Sequence, residues 1–506
     1  MFFTSYEFIG FALILFVLYY TICRKFQWQL ILVANVIFYL MAGIKTSAFI
    51  FITAVTVYGA ARLIDKSLVE QKAYIKEHKE ELTKEEKNAY KNGKAKGRRV
   101  FFWGALAINL GMLFALKGLN PLGISFYTLM SLGYLIDVYR DTYRAEKNVF
   151  KYVAFATFFP LLIQGPIARF AETTEGMYKE HKFDWQTVSF GVERILWGYF
   201  KKLVIADRLL PAVKMITGDA SNYQGAYVVV VMFLYTIELY ADFTGGVDIT
   251  IGIAQVLGIT VAENFKQPYF STSLKEYWRR WHITMCEWFR NYVFYPVSTS
   301  KAMQKISGFF RTRGGAGVVL GKKIPVYLSS LAVWLCTGIW HGTTANFIIW
   351  GLLNFAILMI SEELEPAYAK FHDKFGFTNG AGYKFFMIVR TFLLVTVLNL
   401  FDCYAKPGVI FGLLGSIFTT GNWSILGSGA LLEIGLSVTD YIIVLVGIVV
   451  MIIVSVNREK EPVRPRIWKW SFVAQASLFM ILFVAIIMFG AYSIGYDASQ
   501  FIYNQF

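Results

Sequence analysis

Histidine and cysteine are both scarce in this chain, five and four residues in 506, and the scarcity excludes much. The cysteines, Cys23, Cys286, Cys336 and Cys403, show no CxxC spacing, so neither a disulfide framework nor a metal site is expected, and they read as small packing residues. Charged residues make up only 16 % of the chain, too few and too segregated for a solvated globular surface. No HExxH and no GxSxG occurs, which leaves zinc-protease and nucleophile-elbow chemistry without a local motif. The run Ala316-Gly-Val-Val-Leu-Gly321-Lys322-Lys323 lacks the first glycine and the final Ser or Thr of a phosphate loop, and no strand signal precedes it, so nucleotide hydrolysis is not expected. The first apolar run has no basic leader and no small-residue cleavage site, and is read as a true spanning helix. Fixed-period repeats and low-complexity tracts are missing as well.

What is present is apolar. Hydrophobic residues reach 56 % and the mean hydropathy is +0.49, with long apolar runs throughout, so the expected fold is an all-α polytopic integral membrane protein. About ten to twelve spanning or re-entrant helices are expected, in one membrane domain over residues 1–506 without a soluble appendage. The net charge is +15, but the excess Lys and Arg lies in short segments between apolar runs, where it sets orientation in the bilayer; nucleic acid is not an expected partner.

Apolar runs at Phe8 to Ile22, Leu30 to Ala42 and Ala48 to Ala61 come first. Lys66 to Arg99 then holds eleven Lys or Arg against six Glu, a solvated helix or loop placed in the cytoplasm. Three crossings before it put the N-terminus outside. After a fourth run, Val100 to Leu116, the stretch Pro121 to Arg140 interleaves Gly, Ser and Thr with apolar residues, which permits close helix packing. Phe158 to Arg169 carries two prolines and a glycine in an apolar run and predicts a broken or re-entrant helix beside protein or a cavity. The helix Gly225 to Tyr240 is followed by Asp242 and Asp248, which must be wet or paired; they either line a cavity or cap helix ends.

Lys301 to Lys323 has six basic residues and no acid and is expected as a cytoplasmic loop. Further crossings follow at Ile324 to Trp340, Phe347 to Ile360, Phe385 to Leu400, Tyr441 to Val456 and Phe472 to Met488. His372, in a mixed-charge segment, reads as a solvated histidine. The segment Asp402 to Asp440 has one Lys against three acids, whereas Arg458 to Lys469 has five basic residues against two Glu. This places the first outside, the second inside and the C-terminus outside.

Two histidines sit in apolar or aromatic surroundings. His282 lies in Trp278 to Pro296, nineteen residues with three arginines and seven aromatic rings, and His341 comes fifty-nine residues later, at the end of an apolar run in Ile-Trp-His-Gly. Neither has a second His or carboxylate at helical metal-ligand spacing, so no metal site is expected. Imidazole titrates near neutral pH and can take a proton from a hydroxyl that attacks an activated carbonyl, which makes each a candidate general base. Each also fits a neutral packing histidine with one hydrogen bond, although an ionisable residue in a spanning segment, as at His341, favours a functional role. Cys286 stays open as a nucleophile. Trp278, Arg279, Arg280, Trp281, Trp340, Asn346, Asp242 and Asp248 are candidates for binding substrate or lining a tunnel, while Arg279, Arg280 and Arg290, flanked by Trp and Tyr, also read as interfacial anchors. Broken helices and intramembrane charge would serve a transporter or flippase just as well.

At these residues the chain resembles the membrane-bound O-acyltransferase family, in particular its bacterial branch that acylates cell-envelope polymers. The matching motifs are Trp278-Arg-Arg-Trp-His282-Ile-Thr, Trp340-His341-Gly, Pro121-Leu-Gly-Ile-Ser-Phe-Tyr, Phe159-Pro through Gly165-Pro166-Ile, and Glu263-Asn-Phe with Pro268-Tyr. The resemblance implies a helical funnel in the plasma membrane, with an acyl thioester such as acetyl-CoA as a cytoplasmic donor substrate and no permanently bound cofactor. It also implies an envelope polysaccharide as acceptor, reached through a membrane-anchored or envelope-side partner with a serine-esterase-like domain. By it His341 is the catalytic histidine and His282 the second active-site histidine. The ending 495–506 looks like that of members acetylating alginate, peptidoglycan or exopolysaccharides. Members that transfer D-alanine to teichoic acid share the core motifs. Around Asp242 and Asp248 the chain departs from the alginate pattern, which leaves the acceptor polymer open.

Overall fold

The computed structural model describes residues 3–119, 121–492 and 501. The ending 495–506 therefore lies outside the described residues except for Phe501, and so does the C-terminus expected outside. Among the described residues there is no strand. Nine helices among the described residues are long and apolar enough to cross a membrane, and three shorter apolar helices, Tyr6–Tyr20, Ile124–Tyr139 and Pro407–Thr419, accompany them. This is an all-helical, multi-pass membrane protein. Of the most apolar window in Phe472–Phe489 only 6 % is buried by protein, against 61 % in Ala226–Val256, so the first presents its side chains outward while the second is enclosed. The described residues pack as two compact units, one from 3–119, 121–195, 249–262 and Phe501, the other from 196–248 and 263–492.

In the first unit the charged segment is not a separate element. The apolar run before it continues through it as Ile44–Glu77, and the chain returns as Lys84–Ala115, so that charge occupies the tip of a long helical hairpin. A capping box closes the turn: Thr83 Oγ1 accepts from Glu86 N at 3.2 Å while Glu86 accepts from Thr83 N at 2.8 Å. Lys94 pairs with Glu70 at 2.8 Å and the Tyr74 and Tyr90 rings stack at 4.2 Å, joining the two arms. The short helix Ile124–Tyr139 is buried along nearly its whole length.

The proline-containing stretch is irregular, as expected: a single 3-10 turn, Phe159–Leu162, then extended backbone with a cis Gly165–Pro166 bond. It is enclosed by protein, which supplies the hydrogen bonds a broken helix forfeits. Asn35 Nδ2 donates to Ala154 O at 3.0 Å, Phe159 N donates to Asn35 Oδ1 at 3.1 Å, and Thr250 Oγ1 donates to Pro160 O at 2.8 Å.

In the second unit two expectations change. The helix expected to end near Tyr240 runs on to Val256, carrying Asp242 and Asp248 in its interior rather than at an end. Their charges are answered by Lys202 and Lys201 from the π-helical turn Phe200–Ala206, so the helix has no need to break. Gly245 makes the approach possible, since a Cβ there would stand 2.9 Å from Gly198 O. The basic segment expected as a loop is mostly helical. Lys301–Arg311 doubles back onto the start of Ala316–His341, with Ser307 Oγ donating to Gly321 O at 2.6 Å. Lys323 reaches Glu363 at 2.6 Å, so basic side chains can ride on the first turns of an apolar helix.

Candidate functional site

The aromatic stretch folds as two short helices, Leu274–Arg280 and Ile283–Phe289, hinged at Trp281 and His282. Ser273 caps the first, accepting from Glu276 N at 3.2 Å. The hinge is fixed by strand-like pairing with the preceding segment: Lys266 N donates to Arg280 O at 2.9 Å and Ile283 N to Asn264 O at 3.0 Å. Between these bonds His282 is held at φ 46°, ψ 52°, a left-handed conformation that costs a non-glycine residue energy and is kept where surrounding structure enforces it. Its side chain is 1 % exposed. The ring meets Phe243 edge-on at 4.9 Å, and Nδ1 lies 3.2 Å from Asn264 Oδ1.

His341 is the last residue of Ala316–His341, and it is half-buried beside the exposed Thr343 and Thr344. Gly342 caps the helix; a Cβ at this position would run into the Phe347 ring. Glycines draw the next helix, Ala345–Glu363, against the first: a Cβ on Gly338 would stand 2.5 Å from Phe347 O, and one on Gly351 2.5 Å from Trp334 O. That closeness packs His341 against the Trp350 ring, 5.1 Å away and edge-on, and against Phe347 at 6.3 Å. Trp340 joins the two histidines, its ring centre 6.1 Å from that of His282 and 5.0 Å from that of His341. One histidine is sealed and the other open, on either side of one indole.

Burial holds the His282 imidazole well below its usual value of 6.5, and positive charge on His341 pushes in the same direction. His282 is therefore neutral at pH 7. Desolvation pushes the Cys286 thiol up to about 12, which removes the thiolate a cysteine nucleophile requires. Among the described residues no three His, Cys, Asp or Glu side chains come together as a metal-ligand set.

The other candidates divide. Trp278 belongs with the histidines: its Nε1 donates to Asn354 Oδ1 at 3.0 Å, and its ring meets Trp334 at 4.9 Å and Trp350 at 5.6 Å. Trp281 is buried among Phe243, Phe265 and Tyr277, with ring centres 5.0 to 5.9 Å away. Arg280 pairs with Glu276 at 2.8 Å and with Glu459, whereas Arg279 is exposed. Asn346 Nδ2 donates to Phe401 O at 2.7 Å, tying its helix to a neighbour. Asp242 and Asp248 form a constellation of their own. Lys202 bridges Asp207 at 2.7 Å and Asp242 at 2.5 Å, and Lys201 donates to Asp248 at 2.6 Å and Thr244 at 2.8 Å. Burial pushes Lys202 down, but Asp207 and Asp242 outweigh it and hold the ammonium above its usual range.

Sequence reasoning missed both lysines as partners, although adjacent lysines in the apolar run Gly198-Tyr-Phe-Lys-Lys-Leu-Val-Ile were the available signal. It also gave Asn264 no role beyond a motif position.

Residues 119–311, which include His282 and both lysines, match the model of MBOAT, the membrane-bound O-acyltransferase family. In this region, somewhat over a third of its length, the chain is similar to the membrane-bound O-acyltransferase family. It is similar to a probable alginate O-acetylase of Pseudomonas syringae pathovar tomato, 33 % identical over 317 residues, 61 % of this chain and 53 % of the relative. A peptidoglycan O-acetyltransferase of Helicobacter pylori is 30 % identical over 278 residues, 50 % of this chain and 49 % of the relative. A teichoic acid D-alanyltransferase of Streptococcus thermophilus is 28 % identical over 250 residues, 48 % of this chain and 57 % of the relative. The chain thus spans about half the length of these relatives.

Proposed function

We propose that this chain is a membrane-bound O-acyltransferase that passes an acetyl group from a cytoplasmic thioester, acetyl-CoA, to the hydroxyl of a cell-envelope polysaccharide. The observation that carries the reading is the pairing of a sealed, neutral histidine with a half-open one across Trp340. An acceptor hydroxyl is far too weak an acid to ionise at pH 7, so its attack needs a base within about 3 Å. His341 takes the hydroxyl proton as the oxygen bonds to the thioester carbonyl carbon. The tetrahedral intermediate then expels the thiolate, and the imidazolium returns its proton to the leaving sulfur. His282, buried and neutral, supports the reacting groups without competing as the base that meets solvent. The donor enters from the cytoplasm, and an envelope-side partner with a serine-esterase-like domain presents or finishes the acceptor. Acetyl is preferred to D-alanyl because the relatives named for acetyl transfer are 30–33 % identical and the D-alanyltransferase 28 %.

The test is transfer of radiolabel from acetyl-CoA to polysaccharide by purified protein, supplied with its partner, against His341→Ala. Label transfer lost in the variant is the expected result. Translocation of an intact substrate with no label transferred would replace this reading with a transporter.

A further inference from the structure

We infer that Asn264 is a positioning residue that fixes the His282 tautomer, with the proton on Nδ1 and the lone pair on Nε2. The argument starts from the one group near Asn264 whose role admits no choice. Thr284 N, a backbone N–H, lies 3.1 Å from the Asn264 side-chain atom assigned as Oδ1, and a backbone N–H can only donate. That atom is therefore the oxygen; turning the amide over would set its NH2 against the N–H. The Thr284 hydroxyl, 2.9 Å from the same atom, can donate or accept and does not decide. His282 Nδ1 stands 3.2 Å from this oxygen, so it carries a proton, and a neutral imidazole with its proton on Nδ1 has its lone pair on Nε2.

The surroundings make this a fixed setting. Asn264 is 0 % exposed, and its backbone carbonyl accepts from Ile283 N at 3.0 Å, so the residue grips the hinge on both sides of His282. The forced orientation leaves Asn264 Nδ2 buried with no hydrogen-bond partner among the described residues, a cost that follows from committing the oxygen to Thr284 and His282. The burial that keeps His282 neutral makes the choice of nitrogen matter, since an imidazolium would carry protons on both.

The tautomer rests on the hydrogen-bond geometry and on the burial that keeps the ring neutral; its consequence for rate rests on the proposed acyl transfer. Nitrogen-15 NMR of histidine-labelled protein, with the His282 signals identified by their loss in His282→Gln, should give a protonated Nδ1 and a bare Nε2. A proton on Nε2 in the unaltered protein would overturn the inference. Asn264→Leu removes the acceptor and should yield a tautomer mixture and a kcat about 10- to 100-fold lower, with KM little changed. Asn264→Asp keeps an acceptor for Nδ1–H and adds charge that favours the imidazolium. It should restore part of the rate and move the acid limb of the kcat profile to higher pH. If Asn264→Asp were as inactive as Asn264→Leu, with the acid limb unmoved, the role would be packing. Because the NMR experiment needs neither donor nor acceptor, the stated tautomer in a protein that transfers no acyl group would overturn the proposed function and leave the tautomer assignment standing.

Discussion

Two constellations in the second unit bury ionisable side chains, and they are built on opposite terms. Around Lys201 and Lys202 each ammonium has a carboxylate within 2.7 Å, and the groups are almost wholly enclosed. At the histidines an amide oxygen meets His282, aromatic rings pack against both imidazoles, and His341 stands half-open. In an apolar enclosure an ionised Asp costs about 3 kcal/mol even on lenient scales, so charge answered by charge is what keeps the helix Ala226–Val256 whole. An imidazole that is neutral at pH 7 needs no such partner and remains able to accept a proton. Buried charge answered by charge therefore marks structure here, and the proposed site is the one where a histidine ring is left an opening.

The comparison predicts a double dissociation, and the largest effect belongs to the open histidine. His341→Ala should lower the transfer rate by about a hundred- to ten-thousand-fold, the range for loss of a general base, with little change in the thermal unfolding midpoint. Near wild-type single-turnover transfer would pass the base role to another group. Lys202→Met should do the reverse. It strands Asp207 and Asp242 in a site where the lysine side chain is 2 % exposed, and breaking such a pair costs about 3–5 kcal/mol. Unfolding in detergent should shift sharply down while the molecules that remain folded keep their rate; an unchanged midpoint would dissolve the contrast.

A smaller effect tests the helix end that carries His341. Gly342→Ala would drive a methyl into the Phe347 ring, and overpacking of this kind costs about 1–3 kcal/mol. Transfer should fall with stability, because Phe347 also packs against His341. Wild-type unfolding and rate together would show that the turn is looser than the geometry has it. The smallest effect is in pH. His282 is held below 6.5 in the native protein, so on acidification the unfolded chain binds this proton first. Its contribution to stability is complete above about pH 6.5 and is lost as pH falls from there toward the native value. The unfolding midpoint of His282→Asn should depend less on pH below 6.5 than that of the wild type; parallel curves would argue against a sealed, neutral ring.

Much of this was legible in the residues. The bilayer imposes a length and an apolarity on every crossing, so the all-helical fold follows from runs such as Phe472 to Met488. Phe158 to Arg169 announces its own break through proline and glycine, which deny a helix its hydrogen bonds wherever the segment is placed. The aromatic stretch around His282, and His341 before a glycine, singled out two of five histidines on local surroundings alone. Even the requirement that Asp242 and Asp248 be either wet or answered by a partner was plain, because an unanswered carboxylate in an apolar run is too costly to keep. The identity of that partner was not. Lys202 reaches Asp242 across forty residues only because a π-helical turn and Gly245 let two backbones approach, and no local pattern encodes such a meeting. Nor does any spacing rule connect Asn264 to His282, eighteen residues on, or set Trp340 between two histidines fifty-nine apart. Local sequence dictates what each residue must avoid in a membrane; which side chain answers it, and which nitrogen of His282 keeps its proton, is decided when distant segments are packed together.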